Sequence, residues 1–244
     1  MKSFVTGVGL FGRGIGEYAR NPRMWLLGMI PAVLSATLFA VVLGLLFYFV
    51  GDIAGWLTGF AEDWPDGARQ AARLVAAVAL VVSAGLLTVL TFTAVTLLIG
   101  DPFYERISEL VENRHGGVPD AEGTRWWLNV WDSLRLIGFS VLVGIPLFAA
   151  GFIPVVGQFV VPVIGALFGG WVLALELVGV PFSRRGMRLG DRRRALRRHR
   201  PLAIGFGAVV FVCFLIPLGA ILLMPAAVAG GALLARKALG VEVS

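Results

Sequence analysis

The sequence predicts an integral membrane protein built almost wholly of α-helices, and three observations predict it. Of the 244 residues, 58% are hydrophobic and only 15% are charged, against about half and about a quarter in soluble globular domains. The charges are confined to a few segments, and long uncharged runs lie between them. Because a water-soluble surface needs charge along every element, these runs indicate contact with lipid.

Residues 1–23 are predicted to form an interfacial amphipathic helix that is retained and not cleaved as a signal peptide, since Arg13 and several glycines interrupt its apolar side chains. Apolar residues recur at helical spacing: Phe4, Val8, Phe11, Ile15 and Tyr18. The glycines Gly7, Gly9 and Gly12 match a dinucleotide-binding pattern. No predicted strand precedes them and no βαβ unit follows, so this reading is rejected.

Two uncharged runs, residues 24–50 and 74–100, are predicted to cross the bilayer completely. Each is about 27 residues long, or about 40 Å of helix, which exceeds the hydrocarbon thickness of about 30 Å. Basic residues precede the first run, whereas the segment between the two runs is mainly acidic. Since positive flanks stay in the cytoplasm, the N-terminus and the C-terminus are both predicted to be cytoplasmic.

Residues 102–135 are predicted to form cytoplasmic or interfacial helices. Asp101-Pro102 is a typical helix start, with Asp as N-cap and Pro at the first helical position. Gly116-Gly117 is a typical helix end. Three tryptophans follow, and they are typical of an interfacial aromatic belt: Trp126, Trp127 and Trp131.

The second half is predicted to hold two helical hairpins broken by Pro and Gly, at residues 136–183 and 201–237. Between them, residues 184–200 contain nine arginines and are predicted to be a cytoplasmic loop that sets topology and contacts anionic lipid headgroups. The legs of the last hairpin, about 16 residues each, are too short to cross, so that hairpin is predicted to be re-entrant. The legs of the first hairpin, residues 136–183, are longer. For them both alternatives remain open, a re-entrant hairpin and two complete crossings. Both hairpins contain an Ile-Pro pair, which a weak duplication or coincidence explains equally well.

The start of the first span is the predicted anion site. Asn21 is placed as N-cap and Pro22 as the first helical residue, leaving backbone N–H groups unpaired at the positive end of the helix dipole. Arg23 adds a group able to bind a tetrahedral oxyanion through two hydrogen bonds, and Met24 and Trp25 complete the segment. The alternative is a capped helix with an interfacial arginine.

Glu176 is the predicted pore or proton-coupling residue, because an ionisable group inside an apolar run usually faces a polar interior. The alternative is a structural ion pair or hydrogen bond with a cytoplasm-side arginine such as Arg184 or Arg185. No cofactor, metal site or catalytic constellation is predicted, since Cys213 is the sole cysteine and neither histidine has an evident partner. Nucleic-acid binding is not expected, because no docking fold accompanies the basic residues.

In their order and spacing, six stretches resemble the CysZ sulfate permeases and the related etoposide-induced-protein family. They are Asn21-Pro22 through Ile30-Pro31, Asp101-Pro102-Phe103 through Glu112, Phe152 through Gly157, Trp171 through Gly186, His199-Arg200-Pro201 to Gly207, and Met224-Pro225 through Gly230. The resemblance implies two long transmembrane helices, two pairs of half-penetrating helices and a homo-oligomer in the bacterial inner membrane. It also implies proton-influenced sulfate uptake that supplies cysteine synthesis.

One departure from the family pattern bears on function. The Gly-Leu-Arg-type sulfate motif of the CysZ permeases falls at Arg23-Met24-Trp25, where this sequence keeps an arginine but has no glycine. Two functions therefore stay open at this point: a permease for sulfate or a related oxyanion, and a non-transporting membrane scaffold of the same family.

Overall fold

The computed structural model describes residues 2–118, 126–216 and 218–241, which form helices joined by short turns, with no strand among them. The helices are α1 (Lys2–Arg20), α2 (Pro22–Leu57), α3 (Asp66–Arg114), α4 (Trp126–Ala150), α5 (Val161–Leu177), α6 (Gly179–Ser183), α7 (Leu189–Arg198), α8 (Arg200–Phe214) and α9 (Gly219–Ala238). In the described part, five helices are long and apolar enough to cross a membrane: Pro22–Leu57, Asp66–Arg114, Val130–Ala150, Val156–Leu177 and Gly219–Ala238. The predicted fold class, an all-α membrane protein, is confirmed.

The chain divides into two compact units. One comprises Met29–Asp101, and the other comprises Met1–Gly28 with Pro102–Ser244. The helices α2 and α3 each contribute residues to both units.

The unit Met29–Asp101 is a pair of long apolar helices with almost no buried surface. In the most apolar 18-residue stretch of α2 only 6% is buried, and in the corresponding stretch of α3 nothing is buried. Phe39 and Phe92 contact each other across the pair, with ring centroids 5.6 Å apart. A short 3-10 turn, Gly59–Ala61, lies between the two helices. Side chains this apolar and this exposed need a lipid or protein environment, since water does not solvate them.

The structure corrects the predicted helix start at Asp101-Pro102. Helix α3 continues through Pro102 to Arg114 without a break. A proline inside a helix removes only one backbone hydrogen bond, and the intact bonds on both sides hold the helix together. The predicted end is confirmed, because Gly116 and Gly117 have φ of 103° and 76°, and the N–H of Gly117 donates to the carbonyl of Glu112 at 2.9 Å.

The other unit is organised around α9, whose apolar window is 83% buried by protein. Helices α1 and α8 pack directly on it, and α5 packs on α8. On α1, the buried face contains Leu10 and Phe11, and the ring of Phe11 meets that of Phe206 edge-on at 6.4 Å. The N-terminal helix therefore packs on protein along one face, while Val5 and Ile15 stay exposed. Its interfacial position stays a prediction.

The structure also corrects the predicted loop at residues 184–200, because α7 occupies most of it. Leu189, Arg192 and Leu196 are buried on one face of α7, at the spacing that a helix packed on protein requires. The remaining arginines lie on the opposite, more exposed face. A run so rich in arginine has high helix propensity, so the sequence alone did not require a loop there.

Both broken segments of the second half are helical hairpins in the described residues. Helices α4 and α5 form the first, with a π-helical turn, Val156–Val160, before α5. Helices α8 and α9 form the second. Helix α8 has 15 residues, about 22 Å, whereas α9 has 20, about 30 Å. The depth that either hairpin reaches in the bilayer stays a prediction.

The tips of the two hairpins have the same unusual backbone feature. Val155 has φ of 68° and Leu218 has φ of 61°, the two positive values at non-glycine residues in the described part of the chain. In the sequence each directly follows the proline of an Ile-Pro pair. At Val155 the N–H of Val156 donates to the carbonyl of Pro154 at 2.8 Å, which closes a strained γ-turn.

We expect Val155→Gly to raise the thermal unfolding temperature of the purified protein by a few degrees. A β-branched residue at positive φ is strained by about 1–3 kcal/mol, and glycine adopts this conformation freely, although its unfolded state is more flexible. The control is Val163→Gly inside α5, which should lower the same temperature because glycine weakens a helix. Destabilisation by both substitutions would show that Val155 is not strained.

Candidate anion site

The corner between α1 and α2 begins with a well-formed cap. Asn21 is the single residue between the two helices and is only 7% exposed. Its Oδ1 accepts the backbone N–H of Arg23 at 3.1 Å. The prediction that Asn21 caps the helix and that Pro22 opens it is confirmed.

The expectation of unpaired backbone N–H groups at this corner is wrong. Arg23 donates to the Asn21 side chain, and the N–H groups of Met24 and Trp25 donate to the Asn21 carbonyl at 3.0 and 3.2 Å. Pro22 has no N–H to offer. Because one residue satisfies every donor of the first turn, an anion at this corner has to be held by cationic side chains.

The side chains of the predicted segment divide into structural and accessible ones. Met24 is fully buried and contributes packing. Trp25 is 49% exposed and stacks on Tyr18, with ring centroids 6.1 Å apart and an interplanar angle of 14°. Burial raises the pKa of Tyr18. Arg23 is exposed, and no carboxylate among the described residues forms an ion pair with it.

A cleft of about 520 Å³ lies along α1, just before this corner. Its lining residues are Gly9, Gly12, Arg13, Gly16, Glu17, Arg20, His115 and Leu233. Nothing lies within 4 Å of the positions where Gly9, Gly12 and Gly16 would carry side chains, so these glycines keep the cleft open. Arg13 and Arg20 are the exposed cations of its lining.

The acidic residue of the cleft is already neutralised. Glu17 accepts from Arg114 at 3.0 Å, and its other oxygen lies 3.9 Å from Nε2 of His115. His115 Nδ1 lies 3.0 Å from the Val111 carbonyl and therefore carries the hydrogen. Since Arg114 pairs with Glu17, the charges of Arg13 and Arg20 remain available to an anion.

Sequence reasoning used Arg13 and Arg20 only as topology signals and missed this cleft. The signal was present, because Gly9, Gly12, Arg13, Gly16 and Arg20 recur at intervals of three, four and seven residues. Such spacing places them on one helix face. The wall contributed by His115 and Leu233 comes from distant parts of the chain, and only the tertiary structure reveals it.

A buried ion cluster connects the end of α3 to the segment after α6. Glu112 is fully buried, and its oxygens lie 2.5 Å from Arg185 Nη1 and 3.6 Å from Arg184 Nη1. Glu112 lies well beyond the apolar run that ends at Gly100. Burial raises the pKa of Glu112. The hydrogen bond and charge of Arg185 and the charges of Arg184 and Arg236 lower it, but the effect of burial is larger. This cluster fixes the end of α3.

Arg236 near the end of α9 holds the same region from the other side. Its guanidinium donates to the carbonyl of His115, and to the carbonyl of Gly117 at 3.2 Å. These carbonyls follow the last turn of α3, where backbone acceptors have no partner within the helix. The wall of the cleft that carries His115 is therefore held in place by α9.

Glu176 has a hydrogen-bond partner on α4, and its charge acts on an arginine of α7. Ser133 on α4 donates to Glu176 Oε1 at 3.3 Å. Burial lowers the pKa of the Arg192 guanidinium. The negative charges of Glu176 and Asp132 act in the opposite direction and raise it. Arg184 and Arg185 lie against Glu109 and Glu112. Arg192 belongs to the same basic segment, so the alternative of an interaction with an arginine of that segment stays open. The proposed role of Glu176 in a pore or in proton coupling stays a prediction.

Together these features define a class: a multi-pass α-helical membrane protein with a cation-lined cleft beside its buried helical core. The chain belongs to the family described as Sulfate transporter CysZ/Etoposide-induced protein 2.4, which matches residues 10–225. This is a family of transporters and not of enzymes.

Curated relatives with the name Sulfate transporter CysZ align with most of the chain. The protein of Pseudomonas fluorescens Pf-5 is 34% identical over 159 residues, 62% of this chain and 64% of that relative. The protein of Pseudomonas fluorescens Pf0-1 is 27% identical over 229 residues, 91% of this chain and 90% of the relative. The protein of Pseudomonas syringae pv. tomato DC3000 is 28% identical over 222 residues, 87% and 85% of the two chains.

Proposed function

We propose that this protein transports sulfate across a membrane, and that the side chains of Arg13, Arg20 and Arg23 attract and hold the anion. The observation that carries the proposal is the similarity to proteins named as sulfate transporters over about nine tenths of the chain. The structure supports it with exposed arginines at the cleft of α1 and at the adjoining corner.

Side chains, and not backbone amides, perform the binding in this proposal. Sulfate loses strong hydration on leaving water, so its site needs several charge-assisted donors. A guanidinium offers paired N–H groups that match two oxygens of a tetrahedral oxyanion. The backbone donors of the first turn of α2 are occupied by Asn21, which leaves the guanidinium groups as the available donors.

The finer parts of the proposal concern substrate range, coupling and location. Related oxyanions of the same geometry are carried, passively or with proton linkage, and the sulfate supplies sulfur assimilation. The protein functions as a homo-oligomer in the bacterial inner membrane with both termini in the cytoplasm. The exposed apolar surfaces of α2 and α3 support contact with lipid or with further copies.

We expect Arg23→Ala to reduce uptake of labelled sulfate by proteoliposomes about tenfold. A charge-assisted hydrogen bond contributes about 1.5–3 kcal/mol, which corresponds to a tenfold or greater change in affinity. The matched control is Arg198→Ala, an exposed arginine of α7 outside the cleft. Equal uptake by the two variants would remove Arg23 from the site, and absence of oxyanion flux with well-folded wild-type protein would refute transport.

The departure at Arg23-Met24-Trp25 favours a second candidate, a membrane scaffold that does not transport. The segment has no glycine and its Met24 is fully buried, so it does not present the Gly-Leu-Arg-type motif of the CysZ permeases. Thermal unfolding with sulfate, selenite and chloride at equal ionic strength separates the candidates. A protein with a binding site is stabilised selectively by the anion that it binds. A scaffold is affected equally by all three anions, and cross-linking captures stable partner proteins with it.

A further inference from the structure

We propose that the cleft between α4 and α7 binds the phosphate of an anionic phospholipid whose acyl chains lie along α4. The cleft has a volume of about 490 Å³. Its lining residues are Asp132, Arg135, Phe139, Arg188, Leu189, Gly190, Asp191, Arg193 and Arg194. It shares no residue with the cleft along α1, and the inference does not depend on transport.

Both carboxylates of this cleft are already used to hold α7. Asp132 is buried and accepts the N–H of Leu189 at 3.0 Å and Arg188 Nη2 at 3.4 Å. Asp191 accepts the backbone N–H of Arg188 and Arg194 Nη2, each at 3.0 Å. Arg188 and Arg194 are therefore each paired with a carboxylate of the protein itself.

The other two arginines of the cleft are held by aromatic rings. The guanidinium carbon of Arg193 lies 5.2 Å from the ring centroid of Phe139, and that of Arg135 lies 5.4 Å from that of Trp131. Neither forms an ion pair with a carboxylate in the part of the chain that the structure describes. A ring occupies only the face of a guanidinium, so the N–H groups in its plane stay free to donate. The cleft thus offers two uncompensated positive charges with donors that suit a phosphate.

The surface next to this cleft suits acyl chains. Beyond Arg135, α4 exposes Ile137, Leu142, Ile145 and Phe148, each with more than half of its surface open. Residues 135–148 extend about 20 Å, enough to match the hydrocarbon of one leaflet at about 15 Å. Trp131 lies one helical turn before Arg135 and is 52% exposed, as expected at the headgroup level.

A second groove continues this apolar surface between α4 and α5. Its volume is about 480 Å³, and most of its lining is apolar: Leu136, Ile137, Ser140, Val141, Val172, Leu173 and Glu176. A free sulfate ion makes no use of such a surface, and neither does a nucleic acid. The combination of a phosphate-sized charge cluster with an adjoining apolar face is the chemistry of a phospholipid.

The test measures binding of phosphatidylglycerol to the purified full-length protein in detergent, by native mass spectrometry and by thermal unfolding. We expect phosphatidylglycerol to remain bound and to raise the unfolding temperature, and phosphatidylcholine to do neither. The variant R135Q/R193Q should lose at least tenfold in apparent affinity. The matched control is R197Q/R198Q, which also removes two positive charges but from residues of α7 that do not line the cleft.

Each result decides the proposal. Equal losses in both double variants would overturn it, because they would show diffuse attraction to a basic surface. Stabilisation by sodium sulfate or glycerol 3-phosphate that equals that by the lipid, and is lost in R135Q/R193Q, would also overturn it in favour of a free anion. If R135Q/R193Q does not yield monodisperse protein, Arg135→Gln replaces it, because Arg135 is exposed. A loss of about threefold for that variant supports the site, and no loss refutes it.

Discussion

Gly207→Ala is expected to unfold the helical core or to destabilise it by about 3 kcal/mol or more. A Cβ atom at Gly207 on α8 would lie 1.8 Å from the carbonyl oxygen of Gly170 on α5. The atom it meets belongs to the backbone and cannot rotate away, so the two helices must separate. Overpacking of this kind costs about 1–3 kcal/mol when side chains adjust, and more when backbones must shift. Thermal unfolding in detergent measures the loss.

The control for this substitution is Gly165→Ala on α5. No atom lies within 4 Å of the side-chain position at Gly165. Alanine favours a helix over glycine by about 1 kcal/mol, so this variant should be neutral or slightly stabilised. A Gly207→Ala protein as stable as the control would show that α5 and α8 do not pack through their backbones.

Glu112→Gln is expected to destabilise the protein by about 3 kcal/mol. Glutamine keeps the shape of the side chain but removes the charge that balances Arg184 and Arg185. Removing one partner of a buried ion pair lowers the stability by much more than the intact pair contributes, because the remaining charge stays buried without compensation. Chemical unfolding monitored by tryptophan fluorescence gives the change in free energy.

Glu109→Gln provides the comparison one helical turn earlier. Glu109 pairs with Arg106 and Arg184, but 28% of its side chain is exposed. Exposed pairs of this kind contribute less than about 1 kcal/mol. Similar losses for the two glutamates would contradict the assignment of Glu112 as a buried structural charge. Adding Arg185→Gln to Glu112→Gln should recover part of the loss.

Local sequence signals predicted helix ends where the relevant contacts are local. Asn21-Pro22 and Gly116-Gly117 mark a start and an end that the structure contains, because capping depends on neighbouring residues. Asp101-Pro102 gave the same kind of signal, yet α3 continues through it. A proline disfavours a helix by about 3 kcal/mol, and long helical segments on both sides outweigh that amount.

The features of the candidate site also divide into those with a local sequence signal and those that depend on contacts between distant residues. Arg23 was found from its place behind a capped helix start, and the structure leaves it exposed. The absence of free backbone donors at Asn21 and the pairing of Glu176 with Ser133 were not found. Both depend on which groups meet after folding, and a residue 43 positions away leaves no local signal.

The sequence by itself determined that this chain lies in a membrane and is helical, because lipid excludes charge and leaves no water to satisfy an open backbone. It also determined the two longest apolar helices and their flanking charges. Only the tertiary structure decided which charges remain available. Arginines are abundant along the chain, and whether each is neutralised by a carboxylate, covers a ring or opens onto a cleft depends on contacts between distant helices.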